Sequence, residues 1–291
     1  MPSTREIRRR IRGVKNIEKV TRAMNMIASA RLRRSQQKAE SSRPYVERLH
    51  EIFQDIAAAG GLGSRHLLLE KREVRRIGVV LVSSDRGLAG PFLANITRET
   101  MRFIAQQRAE VGLITIGNKG RDHFRSRGFA IDGHFPKSSR DVTLEELGAL
   151  TKRVITDFTS GRYDQVFLAY TQFVTVLKSA PAVVQLLPIE SEQSRKPPSP
   201  APRSAYQFEP AADQLLGTLL PQYVEVFIYR ALVESLTSEQ AARMIAMKNA
   251  TDSASDMIDH LTREYNRLRQ ASITEEILAV VSGAEALKHD H

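Results

Sequence analysis

The chain has 291 residues, a hydrophobic content of 42% and a formal net charge of +10. Cysteine and tryptophan are absent, which excludes disulfides, thiolate catalysis and Cys-ligated metals. No apolar run reaches the ~20 residues that a bilayer-crossing helix needs, and the opening lacks the apolar stretch of a secretory signal, so the chain is expected not to span a membrane. The charge is concentrated: residues 1–40 hold twelve Lys/Arg against three Asp/Glu, nine of the net ten charges. A solvated helix usually mixes signs, so a one-sided face predicts acidic surroundings such as nucleic acid, anionic lipid or an acidic protein surface.

The first helix is expected to be capped by Ser3 or Thr4 and to run to about residue 41. Glu6 and Glu18 within it argue for mature structure rather than an Arg-rich transit segment, which is poor in acids. Ile7, Ile11, Val14, Ile17, Val20, Met24 and Ile27 trace an apolar stripe whose steps are slightly short for a heptad, predicting a locally overwound supercoil. Pro44 should kink the helix or open a second segment over residues 45–59, ended by Gly60, Gly61 and Gly63. Residues 77–82 form a short apolar run bounded by Ser83-Ser84-Asp85-Arg86-Gly87, the pattern of a buried strand. Helices are predicted at 92–107 and 119–127, with strands at 111–116 and 130–134. Thr143 or Asp141 caps a helix to residue 159, and strands follow at 165–172 and 183–188. Such alternation predicts an α/β layer domain with a largely parallel sheet. Residues 190–210, rich in Pro and Ser, read as a returning loop. A turn or two of helix at 211–219 precedes Pro221, which fits the first turn of a long helix or a kink in it. From Met247 the seam Met247, Thr251, Ala254, Ile258, Leu261, Tyr265 and Leu268 alternates steps of four and three, as in a coiled coil. It slips by one residue and resumes at Ile273, Ile277, Val280, Ala284 and Leu287. Neither terminal helix can bury its stripe alone, so each is expected to be the other's antiparallel partner.

Few residues carry a chemical signal. The segment Ser83-Ser84-Asp85-Arg86-Gly87-Leu88-Ala89-Gly90 sits where phosphate loops sit, but its glycine spacing matches neither nucleotide motif and it contains no lysine. A tight structural turn is favoured, with Asp85 pairing with Arg86 or capping the next helix. The seven histidines lack metal-ligand spacing except for the terminal His289-Asp290-His291, and nothing resembles a nucleophile elbow. No catalytic, cofactor or metal residues are assigned. Two rivals stay open on the residues alone. One is a nucleic-acid-binding helix, although interleaved aromatics are missing. The other is a nucleotide-dependent enzyme using the central domain.

Three stretches carry a resemblance to a known family: Glu6-Ile7-Arg8 with Lys19-Val20-Thr21-Arg22-Ala23-Met24; Ser84-Asp85-Arg86-Gly87-Leu88-Ala89-Gly90; and, most specific, Glu239-Gln240-Ala241-Ala242-Arg243-Met244-Ile245-Ala246-Met247-Lys248-Asn249-Ala250-Thr251-Asp252, continued in Tyr265-Asn266-Arg267 and Arg269 to Ile277. The chain resembles the gamma subunits of F-type, proton-translocating ATP synthase. The resemblance implies a central rotor, not catalytic itself, that couples turning of a c-subunit ring to ATP synthesis or hydrolysis in an alpha/beta hexamer. It implies the alpha, beta, epsilon and delta subunits and the c ring as partners, no nucleic acid, and membrane association only through the complex, peripheral at the cytoplasmic face of the inner membrane. By the same carry-over, Arg8, Arg9, Arg22, Met24, Arg243 and Gln270 match positions facing the hexamer, and Tyr206 and Glu209 fall in the stretch facing the c ring. Asn25, Pro91 and Leu93 depart from the family pattern. The expected fold class is α/β, a long antiparallel coiled coil of the N- and C-terminal helices with an inserted Rossmann-like α/β domain. The expected divisions are residues 1–60, 75–190, a loop at 191–210, and 211–291.

Overall fold

The structure is a computed structural model, and it describes residues 3–58, 66–136, 144–189 and 212–289. Helices α1 (Thr4–Ala58), α2 (Phe92–Gln106), α3 (Asn118–Arg125), α4 (Leu144–Thr159) and α5 (Ala212–His289) accompany strands β1 (Arg76–Val82), β2 (Glu110–Ile116), β3 (Ile131–Phe135), β4 (Gln165–Phe173) and β5 (Ser179–Leu187). The chain divides into two units. One combines Met1–Ala28 with Met244–His291, and the other is Ser29–Arg243. Both long helices therefore contribute to both units. The expected glycine stop at Gly60, Gly61 and Gly63, the cap at Asp141 or Thr143, the loop at 191–210 with Tyr206 and Glu209, and Asp290 and His291 of the terminal His-Asp-His lie outside the described residues.

In the larger unit the five strands are ordered β3-β2-β1-β4-β5. β1 pairs in parallel with β2 and β4, β2 pairs in parallel with β3, and β4 and β5 form an antiparallel hairpin. The central strand β1 is buried on both faces, so it reads as a continuous apolar run rather than an alternating one. Ile77, Val79 and Leu81 face α2 and α3, packing with Ile96 and Phe124. Val80 and Val82 face the opposite side, where Val154 and Phe158 of α4 and Leu220, Val224 and Ile228 of α5 close the core. β5 begins earlier than residue 183 because Ser179 and Ala180 still pair with Phe173 and Gln172 across a tight turn. A short 3-10 turn, Leu67–Leu69, was not foreseen. Its Leu68 is 1% exposed, and its carbonyl accepts the Ile189 N–H at 3.0 Å.

Helix α1 continues through Pro44 and α5 through Pro221, so neither proline opens a new element. A proline forfeits one helical hydrogen bond and crowds the preceding turn. In helices this long, intact turns on either side hold the chain helical.

In the smaller unit the antiparallel pairing is fixed by cross-contacts. The Thr21 and Thr251 hydroxyls meet at 2.8 Å, Asn25 donates to the Met244 carbonyl at 3.4 Å, and the Arg8 guanidinium lies 5.3 Å over the Tyr265 ring while bonding its hydroxyl. On α5 the seam Met247, Thr251, Ala254, Ile258, Leu261, Tyr265 and Leu268 is buried or half-buried while most of the residues between are exposed, as its spacing predicts. On α1 the observed seam departs from the apolar stripe. After Ile7, Ile11 and Val14 it runs through Glu18, Thr21, Asn25 and Ala28, in unbroken steps of four and three. Ile17, Val20, Met26 and Ile27 are instead 53–66% exposed. Following the apolar residues would have overwound the pair, whereas the regular heptad keeps the seam facing its partner throughout. Of its polar members, Thr21 and Asn25 bond to the facing helix, and Glu18 pairs with Arg22 one turn later on its own helix.

Ser3 is the cap that forms: its hydroxyl accepts the Glu6 N–H at 3.2 Å. Because α1 starts here, level with the end of the α5 seam, the expected resumption at Ile273, Ile277 and Val280 meets no facing helix among the described residues. These residues are 46%, 57% and 71% exposed, as are Leu278 and Val281 at 59% and 52%. The side chains of Ala284 and Leu287 lie outside the described residues.

Candidate functional site: a filled crevice and a paired stalk

In open α/β sheets, ligands bind beyond the carboxyl ends of the strands where the strand order reverses. Here that point lies between β1 and β4. The loop after β1 is committed to internal bonding. Asp85 Oδ1 accepts the Asn118 N–H at 2.8 Å, the Ser84 carbonyl accepts the Lys119 N–H at 2.9 Å, and Ser83 Oγ accepts the Gly120 N–H at 3.0 Å. The first-turn donors of α3, which would otherwise attract an anion, are therefore taken. Asp85 does cap a helix, but it caps α3 and not the one that follows it in sequence. Helix α2 starts behind Pro91, which has no N–H, and the Phe92 N–H turns back to the Ala89 carbonyl at 3.2 Å. Leu88, with φ of 65°, and Gly90, with φ of 53°, give the loop its tight turn.

The crevice itself is filled by α5. Ser235 Oγ accepts the Thr171 N–H at 2.9 Å, and Ser238 Oγ donates to the Thr171 carbonyl at 3.3 Å. Arg243 pairs with Glu239 at 2.8 Å and donates to the Gly87 carbonyl at 3.4 Å. A helix thus occupies the position where a nucleotide would sit. Among the described residues no group of His, Asp and Glu is placed to hold a metal ion. Nor is any helix there long and apolar enough to cross a membrane.

At the opposite end of the sheet, Tyr163 is fully buried and donates to Asp132 Oδ2 at 2.6 Å, while Arg76 reaches the same oxygen at 3.2 Å. Burial first, and the bond to Asp132 second, hold the Tyr163 phenol well above its ordinary range. Tyr170 on β4 is raised by burial, with nearby Glu234 adding to the effect. Both phenols fill structural niches. Tyr163 packs so closely on β1 that a Cβ on Gly78 would lie 2.8 Å from its ring.

Of the residues assigned to partner contacts, the stalk unit holds five. Arg8 and Arg9 are exposed near the start of α1, Arg8 resting on Tyr265. Arg22 is exposed and held at 2.5 Å by Glu18 one turn earlier. Met24 is half-buried beside the seam residue Asn25, and Gln270 is exposed just past the last seam residue, Leu268. Arg243 belongs to the larger unit and is only 8% exposed, engaged by Glu239 and Gly87. The outward set Ile17, Val20 and Ile27 was missed because apolar residues were assigned to the seam. The signal that finds them is the strict heptad continued from Val14, which lands on Glu18, Thr21, Asn25 and Ala28.

The family model for ATP synthase matches residues 3–287. The ATP synthase gamma chain of Chloroflexus aurantiacus is 42% identical over 292 residues, covering 99% of each chain. Those of Pelotomaculum thermopropionicum and Heliobacterium modesticaldum are 42% and 43% identical, with 99% of this chain and all of the relative covered. The fold is shared with a chain from the central stalk and c ring of Tetrahymena thermophila mitochondrial ATP synthase, at a TM-score of 0.59 and 24% identity over 79% of this chain and 99% of that one. It is shared also with one from the Euglena gracilis mitochondrial ATP synthase rotor, at a TM-score of 0.65 and 14% identity over 93% and 98%. The family model over nearly the whole chain and these full-length likenesses agree with the paired-helix and inserted-sheet fold: the chain belongs to the ATP synthase gamma-chain family.

Proposed function

We propose that this chain turns inside an alpha/beta hexamer and carries proton-driven rotation of a c-subunit ring to the nucleotide sites there. The observation that carries this reading is two outward apolar patches, one on α1 and one on α5 past its seam. Ile17, Val20 and Ile27 on α1 and Ile273, Ile277 and Val280 on α5 are each about half exposed or more, although both helices already have a complete seam or end. Isolated exposed apolar residues are ordinary, but three on one face of a helix, at each of two places, point to surfaces covered in the assembled state. The cations interspersed on α1, among them Arg8, Arg9 and Arg22, suit an acidic surface on that partner and would guide position more than add affinity. In this reading Met24, Arg243 and Gln270 face the hexamer as well, and Tyr206 and Glu209 face the c ring. The epsilon and delta subunits complete the complex, and the chain is peripheral at the cytoplasmic face of the membrane solely through it.

The test is to replace Ile17, Val20 and Ile27 together with Gln in the assembled enzyme. These side chains lie outside the seam, so the chain is expected to keep its helix pair while proton-driven ATP synthesis falls at least several-fold. Undiminished synthesis would refute the reading. Replacing Arg8, Arg9, Arg10, Arg22, Arg31, Arg33 and Arg34 with Gln probes the electrostatic part, and unchanged coupling counts against it.

A further inference from the structure

Helix α5 meets the sheet of the larger unit through two chemically different stretches. Over its first turns the contact is apolar, with Leu220, Val224, Ile228 and Leu232 in the core. From Ser235 the buried face turns polar: Ser235, Ser238, Glu239 and Arg243 are all at most 8% exposed. Burying such groups costs more than burying leucine, and an ion pair of this kind contributes specificity of arrangement rather than net stability. The two serines hold both backbone polar groups of one residue, the N–H and the carbonyl of Thr171 near the end of β4. Five residues past Ser238, Arg243 reaches the Gly87 carbonyl beyond β1 and is itself fixed by Glu239. The four side chains share one face of the helix, at spacings of three and four.

An apolar stripe resists separation but resists rolling weakly, because dispersion contacts have no preferred direction. Hydrogen bonds do resist rolling. A roll of about 20° carries an oxygen about 5 Å off the helix axis through roughly 2 Å, enough to break a bond of ordinary length. We infer that Ser235, Ser238, Glu239 and Arg243 form a torsional clamp, positioning residues that lock α5 against rotation about its own axis on the ends of β1 and β4. The helix continues unbroken past Arg243 to His289, so torque entering the sheet unit passes into the stalk helix at this point instead of being lost as slip. The inference rests on the rotor reading above.

The experiment uses the complete enzyme in sealed vesicles, with the double variant Ser235→Ala and Ser238→Ala. The clamp predicts that ATP hydrolysis by the detached hexamer with this chain stays within about twofold of the unaltered enzyme. The ratio of protons pumped to ATP hydrolysed falls several-fold, and angular fluctuations of a bead on the sheet unit widen while the hexamer is held. An unchanged ratio with unchanged fluctuations overturns the clamp. Should the double variant fail to assemble, Glu239→Gln keeps the shape and removes the charge pairing that fixes Arg243. The same drop in ratio supports the clamp there, and an unchanged ratio overturns it. Absence of pumping with the unaltered chain would defeat the rotor reading, and the clamp with it.

Discussion

Two isoleucines ten residues apart on α1 separate the apolar stripe from the true seam. Ile7 is 1% exposed and Ile17 is 57% exposed, yet both belong to the stripe that sequence alone assigns to the interface. Truncating a buried isoleucine to alanine removes transfer energy and leaves a cavity, at a cost of about 2–5 kcal/mol. Truncating Ile17 is expected to change stability by less than about 0.5 kcal/mol, and alanine's better helix propensity makes even a slight gain reasonable. Native-state amide hydrogen exchange on the full chain reads this directly at the backbone around Ile258 and Leu261. There Ile7→Ala should accelerate exchange roughly thirtyfold or more, following about 1.4 kcal/mol per factor of ten. Ile17→Ala should leave it within about a factor of two. In the assembled enzyme the order inverts, with Ile17→Ala impairing coupling although it hardly touches the isolated chain. Equal acceleration by both substitutions would refute the heptad seam through Glu18, Thr21 and Asn25.

Tyr163→Phe removes the 2.6 Å bond to Asp132 and should destabilise the sheet unit by about 1–3 kcal/mol, measured by urea unfolding. The same phenol predicts an alkaline limb. Its native pKa is raised by burial and by Asp132, so above about pH 10 the unfolded chain loses a proton that the native chain keeps. Stability from this group is therefore complete below pH 10 and is lost as pH rises further, and Tyr163→Phe should flatten that loss in chemical unfolding followed from pH 9 to 11. Gly120→Ala places a Cβ 2.4 Å from Ser83 Oγ and should lower the thermal midpoint by an amount matching about 1–3 kcal/mol of overpacking. Neither ATP nor inorganic phosphate should raise the thermal midpoint of the isolated chain, because α5 fills the crevice and the first turn of α3 is already capped. A concentration-dependent rise would restore the nucleotide-site alternative.

The residues themselves were enough to read the α/β alternation, the buried character of β1, the α5 seam from Met247 to Leu268, and the antiparallel meeting of the chain ends. Each is a periodicity that local sequence carries. The family was equally legible, from long specific runs around Arg243 and Tyr265. Other features depend on groups far apart in sequence. Asp85 caps a helix that begins at Asn118, Ser235 and Ser238 grip Thr171, and Tyr163 closes over Gly78 and Gly112. No window of local pattern contains both members of those pairs.

The α1 seam marks the division most sharply. Hydrophobicity says which side chains leave water when a partner is available, but it does not say which partner. Ile17 and Val20 are as apolar as Ile11 and Val14, so composition treats them alike. Only the docked helix, which must keep one face toward its mate at 3.5 residues per turn, selects Thr21 and Ala28 for the inside and turns the isoleucines outward. Sequence determined that the ends of this chain pair. Tertiary structure decided which apolar residues that pairing leaves over, because register is a property of two helices together and belongs to neither alone.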